Sequence, residues 1–166
     1  MARRPPRRSP RLALQLPIRV FGIDFKGMDF VEDATTLVVS AHGAKIRLGH
    51  QLVPEQEIRI LCRRTQEEAV FRVVCKSSET EPSRTFWGVE CLNPAHNIWG
   101  MGSPPLGPKD QDSVRLLLQC PECRTRELLF VDEPLLESLM GYGGLVRGCQ
   151  VCGKTSRWKQ VPYYES

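Results

Sequence analysis

Apolar residues recur at every second position soon after the N-terminus. Leu14, Leu16, Ile18 and Val20 alternate with Gln15, Pro17 and Arg19, the period-two pattern of a strand with one buried face. Gly27 to Asp29 reads as a turn. Thr35 to Ser40 is rich in β-branched residues and predicts a second strand, which Gly43 interrupts. Ala44, Ile46 and Leu48 alternate with Lys45 and Arg47 in a third. Val53 to Gln56 is a turn by composition. Ile58, Ile60 and Cys62 form a fourth strand, Ala69, Phe71, Val73 and Cys75 a fifth, and Phe86 to Leu92 a sixth, with a polar loop from Ser77 to Ser83. Strands repeating at roughly 8–15-residue spacing, with no helical stretch between them, predict an antiparallel barrel or sandwich.

Gly100 to Pro108 carries glycines and prolines and almost nothing to bury, so it reads as a linker. Beyond it, Val114 to Leu118 and Leu128 to Val131 predict short strands. Glu133 to Met140 predicts a short helix with Pro134 near its start and glycines after it. A last strand falls within Lys154 to Val161. The expected organisation is an arginine-rich arm over residues 1–11, a barrel over 12–100, a Gly/Pro linker over 101–113 and a second module over 114–166.

Cysteine spacing changes the picture of that second module. Cys120 and Cys123 form one C-x-x-C pair and Cys149 and Cys152 another, 25 residues further on. Two such pairs supply the four thiolates that tetrahedral Zn²⁺ prefers, with Gly153 easing the second turn. A redox C-x-x-C is the competing reading, but it comes as a single pair opening a helix in a βαβ setting. Four sulfurs leave no open position for a substrate, so the expected zinc is structural and the module zinc-ribbon-like. The odd total of seven cysteines argues against a disulfide framework. Cys62, Cys75 and Cys91 read as small buried hydrophobes.

The net charge of +4 is unevenly placed. Arg3, Arg4, Arg7, Arg8 and Arg11 stand together without an acid, and the rest of the chain carries 18 bases against 19 acids. From Lys109 onward there are eight of each, and four thiolates with Zn²⁺ would add about −2. That balance argues against a nucleic-acid surface and for one local anion site. No apolar run approaches the ~20 residues of a membrane helix. No signal peptide is read, which places the chain in a reducing cytoplasm.

Arg7 and Arg11 stand four apart in a proline-stiffened segment. Their guanidinium forks suit phosphate and the guanine edge, and on chemistry alone a solvated tail accounts for them equally well. The order of features adds to this. R-x-x-x-R precedes the apolar strand, Ser40-Ala-His-Gly43 closes the next one, and the F-W-G-V-E-C-L-N-P segment follows later. Together they resemble a PilZ domain over about residues 4–100. The resemblance implies a six-stranded antiparallel barrel that binds cyclic di-GMP and relays its level to a protein partner. By the same resemblance the ligand-binding residues are Arg7, Arg8, Arg11, Ser40, His42 and Gly43. His42 could equally face water. The family's second motif begins with Asp or Asn, and that position is Val38 here. Valine offers no acceptor to a guanine edge, a loss of roughly 1.5–3 kcal/mol. A degenerate barrel acting as a scaffold is therefore the alternative.

The expected fold class is mainly β: a six-stranded PilZ-like barrel followed by a small zinc-ribbon-like domain with a short helix. No nucleophile elbow, zincin motif, phosphate loop or dinucleotide fingerprint occurs, so a binding protein is expected rather than an enzyme. The early acids Asp24, Asp29, Glu32 and Asp33 read as a solvated loop cluster. Trp87 reads as core, and Trp99 as packing near the domain junction. Trp158, Tyr163 and Tyr164 read as core or as a contact patch.

Overall fold

The computed structural model describes residues 7–76, 85–102 and 104–161. Tyr163, Tyr164, Arg3, Arg4 and the Ser77–Ser83 loop lie outside them. The elements run β1 (Leu12–Ala13), β2 (Pro17–Ile23), β3 (Asp29–Val39), β4 (Gly43–Leu48), β5 (Glu57–Cys62), β6 (Glu67–Lys76) and β7 (Thr85–Cys91). A 3-10 turn (Pro108–Gln111) follows, then β8 (Val114–Gln119), β9 (Arg126–Val131), α1 (Glu133–Tyr142), β10 (Leu145–Gly148) and β11 (Thr155–Gln160). Over the described residues the chain divides into two compact units. One holds residues 14–104, the other residues 7–13 together with 105–161. No helix among the described residues is long and apolar enough to cross a membrane.

The first unit is a closed six-stranded antiparallel barrel in the order β3-β2-β5-β6-β7-β4, with β4 returning to β3. Closure follows from the alternation. Leu16, Ile18, Val20, Ile58, Ile60, Phe71 and Val73 are all buried, while Gln15 and Pro17 are exposed. The expected first strand is interrupted where the Thr36 side chain inserts. Its hydroxyl donates to Leu14 O at 2.6 Å and accepts from Leu16 N at 2.9 Å, so the regular ladder starts only at Pro17. Trp87 is core, as expected. Trp99 packs on Phe71 at 5.9 Å between ring centroids.

Two expectations require correction. The early acids are not a loop cluster: Asp29, Glu32 and Asp33 lie on β3, which begins six residues earlier than the β-branched run suggests. Asp29 and Asp33 share the face opposite Phe30, and Asp33 and Glu32 find partners. Arg19 donates to Asp33 at 2.8 Å, and Gly49 N donates to Glu32 at 2.8 Å. Cys75 is exposed, whereas Cys62 and Cys91 are buried. Between Val73 and Cys75 the β6–β7 register shifts, Val73 opposing Val89 and Cys75 opposing Gly88. This bulge inverts the face of the residues after it.

In the second unit β9, β8, β11 and β10 pair in that order, all antiparallel. Asp132 caps α1, its carboxylate accepting from Leu135 N at 2.8 Å. Leu116, Leu118, Leu136 and Trp158 form the buried core, so Trp158 is not part of an exposed patch. Asp110, fully buried in the 3-10 turn, receives Arg115 Nε at 2.9 Å and Arg115 NH2 at 2.7 Å. The Arg115 guanidinium holds the Asp110 carboxyl below the usual carboxylate range, helped by the Gly107 N–H and opposed by burial.

Candidate functional site

Each C-x-x-C pair forms the turn of a hairpin, the first between β8 and β9, the second between β10 and β11. The two turns repeat one backbone pattern. Cys120 N donates to Thr125 O and Arg124 N to Cys120 O; Cys149 N donates to Lys154 O and Gly153 N to Cys149 O, all at 2.8–2.9 Å. The residue after each second cysteine takes a left-handed conformation, Gly153 at φ 76° and Arg124 at φ 64°. Gly153 is the residue expected there. Arg124 performs the same turn with a side chain, which local spacing alone did not reveal.

Because β11 pairs with β8, the two turns are brought face to face. Cys120, Cys123, Cys149 and Cys152 have all four sulfurs within 4.8 Å of one another. Cys120 and Cys152 are 3.9 Å apart, and Cys123 and Cys149 3.7 Å. A disulfide requires about 2.05 Å. Four thiolates around a tetrahedral zinc with Zn–S near 2.3 Å stand about 3.8 Å apart. The observed separations fit the second arrangement, so the group could hold a metal ion. Cys120 and Cys149 are buried and Cys123 is exposed.

The surroundings favour thiolates unevenly. The Thr125 hydroxyl, 3.1 Å from the Cys123 sulfur, draws that thiol down to about 6. Burial raises Cys120, but the backbone N–H groups of Cys123 and Glu122 outweigh it and the thiol is lowered. At Cys152 the Lys154 N–H pulls downward, yet burial and the neighbouring sulfurs carry it up to about 11. Without a cation among them the four sulfurs cannot all ionise together. A divalent cation at their centre removes that conflict.

The arginine segment belongs to the same unit as the cysteines. Arg7 N donates to Gln111 Oε1 at 2.9 Å, and Arg115 N donates to Arg11 O at 2.9 Å. β1 pairs in parallel with β8, Leu12 opposite Arg115. Gln160 donates to Ala13 O at 2.7 Å. The Arg11 guanidinium forms an ion pair with Glu133 at the start of α1, and the Arg11 side chain is only 9% exposed. Residues 9–13 are thus buried, although the sequence suggests an extended arm through residue 11, while Arg8 is exposed. Glu133, 122 residues from Arg11, carried no signal in the sequence beyond its place in the first helical turn.

Ser40, His42 and Gly43 belong to the barrel unit, in the tight turn between β3 and β4. Ser40 N donates to Gly43 O at 3.0 Å, and Trp99 Nε1 donates to Ser40 O at 3.1 Å. A Cβ on Gly43 would stand 2.5 Å from Val89 O, so glycine is required there for β4 to approach β7. His42 is half-buried and its carbonyl accepts from Cys91 N. Val38, at the position where the resemblance asks for Asp or Asn, is only 3% exposed.

No family model matches the chain, and comparison with the curated proteins finds no match. Among solved structures, the chain is similar to the Bacillus subtilis inhibitor of motility (MotI/DgrA), with 16% identity and a TM-score of 0.43 over 56% of this chain. It spans less than half, 46%, of that protein's length.

Proposed function

We propose that this protein is a PilZ-type receptor for cyclic di-GMP that relays the nucleotide's level to a protein partner. One observation carries the reading: the closed six-stranded barrel has the Ser40–Gly43 turn between β3 and β4, and an R-x-x-x-R segment precedes it in the chain. On this reading Arg7, Arg8 and Arg11 grip guanine and phosphate, and Ser40, His42 and Gly43 supply the turn. Glu133 already engages part of the Arg11 guanidinium, so on this reading the ligand competes with that ion pair. The nucleotide would thereby change how residues 7–13 are held in the cysteine-containing unit, a local two-state element suited to signalling. Equilibrium binding of labelled cyclic di-GMP to the full chain tests this, with Arg7→Ala and Arg11→Ala as comparisons. Loss of binding in both variants supports it; wild-type protein that does not saturate at high micromolar nucleotide overturns it.

The cysteine group is proposed to hold one structural Zn²⁺ in a zinc-ribbon-like fold, working in the cytoplasm. Bound zinc would supply charge neutralisation and cross-linking of the two hairpins. Metal analysis of the purified full chain should give close to one zinc per molecule; clearly less, with all thiols free, removes the assignment.

A specific observation favours a second reading, a barrel that acts as a protein scaffold without the nucleotide. Val38 is only 3% exposed, and its side chain offers no hydrogen bond. The same binding measurement separates the two.

A further inference from the structure

The outer face of the barrel carries an apolar row at its β2–β3 end. Phe21 stands opposite Val31 on β3 and Arg59 on β5, and Arg59 stands opposite Val70 on β6. The Arg59 guanidinium lies 4.7 Å from the Phe21 ring centre, extending the flat surface. Ile23, Val31, Val53 and Val70 are 51%, 61%, 48% and 40% exposed. They line a shallow depression of about 770 Å³ with Phe21 and Ile58. The adjoining turn after β2 adds Phe25 and Met28, both exposed. Single exposed apolar residues need no explanation, but a contiguous group of this kind marks a contact surface.

Its rim narrows what can cover it. Asp24, Asp29 and Glu57 also line the depression. Arg59 is the only base lining it among the described residues, and Glu68 neutralises that charge at 2.5 Å. An anionic lipid surface would meet three carboxylates. A second copy seated symmetrically would set the same acids against one another. The barrel is closed, so no free strand edge is offered there for strand addition. What fits is a segment with apolar side chains on one face and lysines or arginines beside them.

We infer that this face is the docking surface for a basic amphipathic segment of a partner protein. The inference rests on the adaptor half of the proposed function and stands apart from nucleotide binding. The test uses ¹⁵N-labelled, zinc-loaded full-length protein without nucleotide. Two designed 18-residue helical peptides share one leucine face, and their polar faces are all lysine or all glutamate. The lysine peptide should shift the amides of Phe21, Ile23, Val31 and Val70 saturably, and the glutamate peptide should not. Val31→Glu with Val70→Glu should weaken the lysine peptide about tenfold or more, and Asp29→Lys with Glu57→Lys severalfold. All four positions are exposed, and unchanged spectra elsewhere report an intact fold. Equal binding of both peptides, shifts elsewhere, no binding, or concentration-dependent shifts of these amides in the protein alone would each overturn the inference. A failed cyclic di-GMP titration beside a successful peptide titration sinks the nucleotide reading and leaves this surface standing.

Discussion

If the cysteine group holds the proposed zinc, removing it should unfold one unit and spare the other. Among the largest fully buried side chains, Leu116, Leu118, Leu136 and Trp158 belong to the cysteine-containing unit, against twice as many in the barrel. A unit of about 60 residues has a net stability of roughly 3–9 kcal/mol. A structural zinc contributes about 10–16 kcal/mol of apparent binding energy in small zinc-dependent folds. The metal term therefore exceeds the whole net stability expected of this unit, and its loss cannot be absorbed by so small a core. Hydrogen exchange of the full chain, with and without a strong chelator, reads the outcome segment by segment. Amides of β8, β9 and β11 should lose protection, together with residues 11–13, whose backbone is bonded to this sheet. Amides of β2, β5 and β6 should keep theirs. Cys149→Ser should reproduce the pattern without chelator. Unchanged protection in β8 and β11 in protein shown to be metal-free would mean that the unit does not depend on the metal for its fold.

Three further outcomes follow from the geometry. Asp110→Ala removes both carboxylate bonds of the Arg115 guanidinium, leaving its bond to Pro105 O, and should cost about 3–5 kcal/mol by denaturant titration. Because the folded Asp110 carboxyl lies below its ordinary value of about 3.9, its contribution is present above that pH and is lost as pH falls through the folded value; a variant that loses the same stability in acid as wild type contradicts this. Gly43→Ala forces a Cβ against the Val89 carbonyl, which should cost about 1–3 kcal/mol in barrel stability, so loss of nucleotide binding in that variant must be read beside its melting curve. Val38→Asn buries an amide and should cost about 1–3 kcal/mol; an unchanged melting temperature would show that the side chain is not held in apolar surroundings.

The parts of this protein that were legible in its sequence are those fixed by short-range pattern. Leu16, Ile18 and Val20 announced a half-buried strand because alternation is a local property. The paired cysteines announced a four-sulfur group that could hold a metal ion, because knuckle spacing is local too. What escaped were features set by distant partners. β3 reaches back to Asp29 because Arg19 and Gly49 satisfy its acids across the sheet. Cys75 turns outward because a bulge is defined by two strands at once. Arg11 reads as part of a basic arm because nothing near it in the chain reveals Glu133. The candidate nucleotide residues were legible only as a resemblance. The structure gives two of them new context: Arg11 already has an acidic partner and Gly43 has a packing reason to be glycine, while Val38, where the motif asks for Asp or Asn, is buried.

On the proposed function, Arg11 exchanges Glu133 for cyclic di-GMP. Calorimetric titration of the nucleotide into wild-type, Arg11→Ala and Glu133→Gln full-length protein tests it most directly. Releasing Arg11 should tighten binding severalfold to about tenfold, the equivalent of about 1.4 kcal/mol, so the predicted order of affinity is Glu133→Gln, then wild type, with Arg11→Ala not saturating. Three indistinguishable titrations, or none that saturates, would contradict the account.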